Sequence, residues 1–224
     1  MTVAACILAA SRDSALLEVE GTPNVRRLVE VAWAGGALPV VVVAGDPDGS
    51  VAAALAGAPV VLGSPAAVDL GPAGQMARAM DLARAEVDAT DAVLIWPARM
   101  GWLDAETVTS LIEAHGTDRA TLLRPAYRGE PGWPILVPVG LLATLRSLPP
   151  ELLPPGIADA LAAAATSRII ELGDPGIVLG LDTPRDALPP FDGPPDPPAG
   201  HRHEWGALVA AGPDEAPEPP TTRG

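Results

Sequence analysis

Short β-branched apolar runs recur along the chain, and each is followed by a segment whose apolar residues return every three or four positions. The first pattern reads as a buried strand and the second as an amphipathic helix. VAACILAA (3–10), LPVVVVAG (38–45), APVVLG (58–63), AVLIWP (92–97), ATLLRPAY (120–127) and WPILVP (133–138) predict strands, and SRIIEL with GIVLGL, within 167–181, predicts a last extended pair. Helices are expected at 24–35, 49–57, 72–88, 104–115, 139–148 and 156–166. Asp104, followed by Glu106 and Thr107, reads as an N-cap with acid in the first turn, which fixes the boundary after the fourth strand. Strands alternating with helices imply an α/β fold, a three-layer Rossmann-like architecture on a mostly parallel sheet.

The pattern stops near residue 189. The 224-residue chain therefore divides into one domain over 1–188 and a tail over 189–224 that is dense in proline and acid. Such a tail buries too little surface to offset its ordering entropy and is expected to be disordered. Its apolar island HEWGALVAAG (203–212) offers a segment that could dock on this or another protein. The pair His201 and His203 in a tail makes a weak metal site.

Charge narrows the partners. A formal net charge of −14 opposes nucleic acid and anionic membranes, both of which need clustered cations, and leaves nucleotides, other small-molecule cofactors and proteins. The apolar runs are far shorter than the roughly 20 residues that cross a bilayer. With no basic region before the first run, the N-terminus reads as a buried strand rather than a signal peptide, so a cytoplasmic location is expected. Cys6 lies inside that strand and reads as an inert buried thiol. There is no lysine: all 14 basic residues other than histidine are arginine. A mechanism that needs an ammonium group at a reacting phosphate has no candidate here, although an arginine fork can still hold a phosphate.

ACILAASRDSALLEVEGTP (5–23) begins like a strand entering a phosphate loop, but the usual glycines and lysine are missing. Ala9, Ala10, Ser11, Arg12 and Asp13 are the candidate phosphate contacts. Asp13 and Asp46 follow strand ends at the edge where α/β sheets bind ligands, but read as caps or solvated loop acids before ligand contacts. Asp182 reads as a cap for a helix beginning at Thr183-Pro184. Trp96, Trp102 and Trp133 gather near the predicted cleft and read as volume fillers before stacking platforms.

In order along the chain, ILAASRDSALLEVEGTP, AVLIWPARMGWLDAETV, YRGEPGWPILVP and GLDTPRDAL resemble the motifs of the MobA-like nucleotidyltransferases, which include the molybdenum cofactor cytidylyltransferases and guanylyltransferases. The resemblance covers about residues 1–188 and implies the nucleotidyltransferase type of the Rossmann-like fold. It also implies a Gly-rich loop around CTP or GTP phosphates, an Arg and a Lys on the triphosphate, and an Asp after strand four on Mg²⁺. Gln75 and Arg78 fall where the family contacts the base. This chain departs from the pattern in a consistent direction. Its loop is cut to Ser11-Arg12-Asp13, Ser14 stands at the Lys position, and Arg99 stands at the metal-binding Asp. The closing motif keeps Asp182 as a possible metal ligand but has Gly180 where its first acid is expected, and Trp133 replaces a histidine. Two functions remain open: a binding or regulatory member that has lost metal-dependent catalysis, or an active CTP- or GTP-dependent transferase, with Mg²⁺, acting on a phosphorylated cofactor such as molybdopterin.

Overall fold

The computed structural model describes residues 1–9 and 12–193. Strand β1 (Val3–Ala9) leads to a short helix α1 (Arg12–Leu16) and a small hairpin of β2 (Glu18–Val19) and β3 (Thr22–Pro23). There follow α2 (Asn24–Ala34), β4 (Val40–Ala44), α3 (Ser50–Ala54), β5 (Val61–Gly63), α4 (Gly71–Glu86), β6 (Ala92–Pro97) and α5 (Ala105–Thr117). The second half holds β7 (Leu122–Tyr127), β8 (Glu130–Pro131), β9 (Ile135–Pro138), α6 (Leu142–Arg146), α7 (Pro154–Ala164) and β10 (Ser167–Glu171).

The main sheet runs β10-β7-β9-β6-β1-β4-β5, with β8 added beside β7. β1 pairs in parallel with β4, Ala5 opposite Val40, and with β6, Cys6 opposite Ile95. β4–β5 and β7–β10 are also parallel, whereas β9 runs antiparallel between β6 and β7. Helices α4, α6 and α7 pack together on one face, and α2, α3 and α5 lie on the other. Strands covered on both faces have no polar side, which is why β4 is an unbroken run of buried valines closed by Ala44. Cys6 is wholly buried, its Sγ–H donates to the Ala79 carbonyl of α4, and burial pushes its thiol far above the usual range, so the inert-core reading holds. Among the described residues no helix is long and apolar enough to cross a membrane.

Several expectations are corrected. GIVLGL is not a strand: Pro175–Ile177 forms a 3-10 turn, because the carboxylate of Asp174 accepts the Gly176 N–H and closes the backbone there. The helix expected at 139–148 is a 3-10 turn, Val139–Leu141, followed by the short α6. Asp182 caps no helix, since the next turn is Arg185–Ala187, preceded by Pro184 without a side-chain cap. Asp104 does cap α5, accepting the Glu106 N–H. Of the tail, residues 189–193 are described, and the Asp192 N–H donates to the Gly173 carbonyl. The disorder expected of the rest, the 203–212 island and the histidine pair lie outside the described residues.

Asp174 ties the two halves of the fold together. Its buried carboxylate accepts from the Asp104 N–H, the Thr107 hydroxyl and the Gly176 N–H, which locks the start of α5 to the 174–177 turn. Burial nevertheless raises its carboxyl above the usual range.

His115, near the end of α5, is also wholly buried, and neither ring nitrogen has a hydrogen-bond partner among the described residues. Burial lowers its basicity, and Asp91 only partly offsets that. The folded chain therefore favours neutral imidazole, while the unfolded chain takes up a proton below the ordinary histidine range. Stability is expected to fall as pH drops from 7 toward 5, with His115 contributing a slope approaching about 1.4 kcal/mol per pH unit. Urea denaturation of the wild type and of His115→Gln across that window checks this, the variant giving the flatter profile.

Candidate functional site

Because β1, β4, β5 and β6 are parallel, their carboxyl ends share one rim of the sheet, and the loops that follow them meet there. Arg12 and Asp13 of the shortened phosphate loop open the five-residue helix α1. Ala9 is buried at the end of β1, Asp13 is exposed in the first turn of α1, and Ala10 and Ser11 lie outside the described residues. Ser14 is half-buried, and its carbonyl accepts from Asn24.

Arg12 reaches across to the loop after β4. Its guanidinium pairs with Asp48 at 2.6 Å, and its Nε–H donates to the Ser50 hydroxyl. The Ser50 hydroxyl and N–H, with Arg12 beside them, hold the Asp48 carboxyl below the usual range. Asp46 is spent as a cap, accepting the Val51 and Ala52 N–H groups of α3 at 2.9 and 2.8 Å.

Gln75 and Arg78 lie on α4 beside the loop after β5, and both hold that loop. The Gln75 amide accepts the Ala66 N–H and donates to the Ala66 carbonyl, so it pins that loop as a strand partner would. The Arg78 Nε–H donates to the Ser64 carbonyl at 3.4 Å.

The turn after β6 carries the strongest departure from the family pattern. Arg99 is exposed and has no ion pair or side-chain hydrogen bond among the described residues. Its carbonyl accepts the Leu181 N–H at 2.8 Å, which brings the closing GLDTP segment directly over the ARMGW turn. The indole of Trp102 secures the same junction by donating to the Gly180 and Thr183 carbonyls. Gly101 is required there: a Cβ would stand 2.5 Å from Leu181 Cδ2 and 2.6 Å from Asn24 Oδ1. Asp182 is exposed beside Arg99, with no side-chain hydrogen bond or ion pair among the described residues.

These residues do not fit Mg²⁺. A hard divalent cation needs several oxygen ligands, most of them anionic. The described residues hold no group of three or more acidic, His or Cys side chains able to share a metal. Trp96 is wholly buried and donates to the Met100 carbonyl, and Trp133 is buried against the 175–178 turn, so both fill volume. Trp102 is half-buried between Arg27 and Arg185, each 5.8 Å from the ring centroid, and so does more than fill space.

Sequence reasoning missed the residues that hold this rim in shape. Asn24 is wholly buried at the start of α2 and donates to the Ser14 and Ala98 carbonyls at 2.9 and 2.7 Å. Arg27 donates to the Gly101 carbonyl, and burial, with Arg185 nearby, lowers its basicity. The available signal was an asparagine on the inward face of α2, in register with Leu28. Asn24→Ala is expected to cost about 2–3 kcal/mol, by stranding two carbonyls in a site closed to solvent. Hydrogen exchange should then quicken over 12–17 and 98–102 more than over the central strands.

A family model described as the MobA-like NTP transferase domain matches residues 7–169. Among solved structures, a nucleotidyl transferase from Methanothermobacter thermautotroptrophicus is 20% identical with a TM-score of 0.67, over 81% of this chain and 92% of its own. Rv0371c from Mycobacterium tuberculosis H37Rv, solved in complex with manganese, is 17% identical with a TM-score of 0.59, over 76% and 88%. The 2-C-methyl-D-erythritol 4-phosphate cytidylyltransferase from Thermus thermophilus is 18% identical with a TM-score of 0.59, over 84% and 96%. No curated protein matches the chain. At these identities the structures share the fold, and the family model, spanning well over half of the sequence, supplies the rest: the chain belongs to the MobA-like NTP transferase family.

Proposed function

We propose that this chain is a binding or regulatory member of its family, one that holds a nucleotide or phosphorylated cofactor without running metal-dependent transfer, in the maturation of a molybdopterin-type cofactor. The observation that carries the reading is Arg99, exposed and without a partner among the described residues, on the turn where the family pattern has its metal-binding Asp. Exchange of a carboxylate for a guanidinium changes the local charge by two units, from attraction to repulsion of a divalent cation. Nucleotidyl transfer gains its rate from cations placed at the α-phosphate and at the leaving pyrophosphate. Arginine can bind such phosphates bidentately, but it neither bridges them as a metal does nor replaces the point charge of a lysine.

Binding survives this loss of chemistry. Arg12 and Arg99 stand on neighbouring loops of one rim, and Arg12 can exchange Asp48 for a ligand phosphate. Calorimetric titration with CTP and GTP in EDTA is expected to show binding, and Arg12→Gln to weaken it about tenfold. Addition of Mg²⁺ is expected to leave the affinity unchanged and to release no pyrophosphate in the presence of molybdopterin. Pyrophosphate release that depends on Mg²⁺ would overturn this reading in favour of an active transferase. Failure to bind either nucleotide under any ionic condition would remove the nucleotide from it.

A further inference from the structure

A groove of about 460 Å³ lies between α4 and the end of α6, on the helical layer that covers β1 and β4. We propose that it is the seat of the chain's own tail: the apolar island 203–212 docks there in cis, with Trp205 and Leu208 as its anchors.

The groove is apolar and incompletely covered. Leu70, Ala73, Ala77, Leu145, Leu148 and Pro150 line it, and the alanines of α4 leave a trough that larger side chains would fill. Leu70 is 52% exposed, and Val68 and Leu153, on the segments flanking the groove, are 93% and 69% exposed. Gly71 has no room for a Cβ against the Pro150 backbone, so these two segments meet and their apolar residues form one patch. A contiguous patch of this kind marks an interaction surface. The volume is about fifteen waters' share, room for an indole and an aliphatic side chain together. In the island, Trp205, Leu208 and Val209 recur at three and four positions, so one side of the segment carries all three.

The tail starts within reach. At residues 192–193 the described chain lies beside β10, where the Asp192 N–H donates to the Gly173 carbonyl. β10 runs in the same direction as β1, so its carboxyl end shares the rim from which α4 departs. From β10 to β1 is four strand spacings, about 19 Å. Residues 194–204 span up to roughly 36 Å, enough to carry Trp205 across the rim and onto the helical layer.

Charge follows the same direction. Asp69, at the rim end of the groove, has no side-chain hydrogen bond or ion pair among the described residues. Arg78, about two turns into α4, has no ion pair among them, while Asp81 and Arg146 neutralise each other at 2.7 Å. In the tail, Arg202 precedes the island, and Asp214 and Glu215 follow it. A tail entering from the rim therefore meets Asp69 with its cation and Arg78 with its anions. Tethering makes the contact intramolecular, an advantage that a free partner of equal affinity lacks. Gln75 and Arg78 hold the loop after β5 from the same helix, so the docked tail rests on the element that shapes that part of the rim. The inference stands whether or not the chain binds a nucleotide.

Cys6 is wholly buried, so a cysteine introduced as Ala216→Cys takes a nitroxide label selectively in the full chain. Paramagnetic broadening of amide signals is expected over 66–78 and 145–148 and not over α5, on the opposite face. Leu70→Asp, at an exposed site, and the pair Trp205→Ser with Leu208→Ser are each expected to reduce that broadening to the level over α5, while Arg84→Gln leaves it unchanged. If the amide spectrum shows that Leu70→Asp does not fold, the tail pair decides the matter, since it alters no described residue. A mixture of nitroxide-labelled chain with a separate isotope-labelled chain is expected to show no broadening. Broadening in that mixture assigns the contact to a second copy and overturns the inference. So does broadening that is absent, equal over α5, or indifferent to the tail pair.

Discussion

Asn24 donates its buried amide to two carbonyls at once, those of Ser14 and Ala98, and so fixes the segment leaving β1 to the turn leaving β6. The remaining contacts of the rim depend on that spacing. Gly101 sits against the Asn24 side chain with no room for a Cβ, Arg27 donates to the Gly101 carbonyl, and the closing segment lies on the Arg99 carbonyl. The helix that follows β1 is thereby held by a side chain of the protein's own fold.

The same substitution shows in the charges. The chain is acidic overall, yet Arg12 of α1, Arg27 of α2, Arg99 and Arg185 stand at one end of the sheet. A cluster of one sign raises the local concentration of the opposite sign against the field of the whole molecule. Arg27 and Arg185 are committed to Trp102, and Arg12 to Asp48, while Arg99 has no partner among the described residues. A guanidinium without an ion pair among the described residues favours an anion over a divalent cation at that turn.

Much of the fold was legible, for one reason: strands buried on both faces carry unbroken apolar runs, and residues 92–97 matched β6 from end to end. GIVLGL misled for the same reason. Its apolarity reports burial and not extension, and the turn there is imposed by Asp174, which also bonds residues about seventy positions away. The site was legible as a set of positions and not as a set of partners. Arg12, Arg99 and Asp182 do come to one rim, but nothing near Gln75 in the chain announces that its amide is used on Ala66, nor that Asp46 caps α3. Asn24 was missed because its partners, ten and seventy-four residues distant, meet only after the sheet has assembled.

The bridge between Arg12 and Asp48 has a consequence for selectivity. Both groups are half-exposed, so water screens the pair and it is easily exchanged. An arriving anion must first displace an internal one, so Asp48 acts as a resident competitor. The toll is small. It is negligible for a dianionic phosphate that can occupy the whole guanidinium fork, but comparable to everything a single weak acceptor could gain. A carboxylate of the chain itself thereby weakly disfavours casual anions at this arginine.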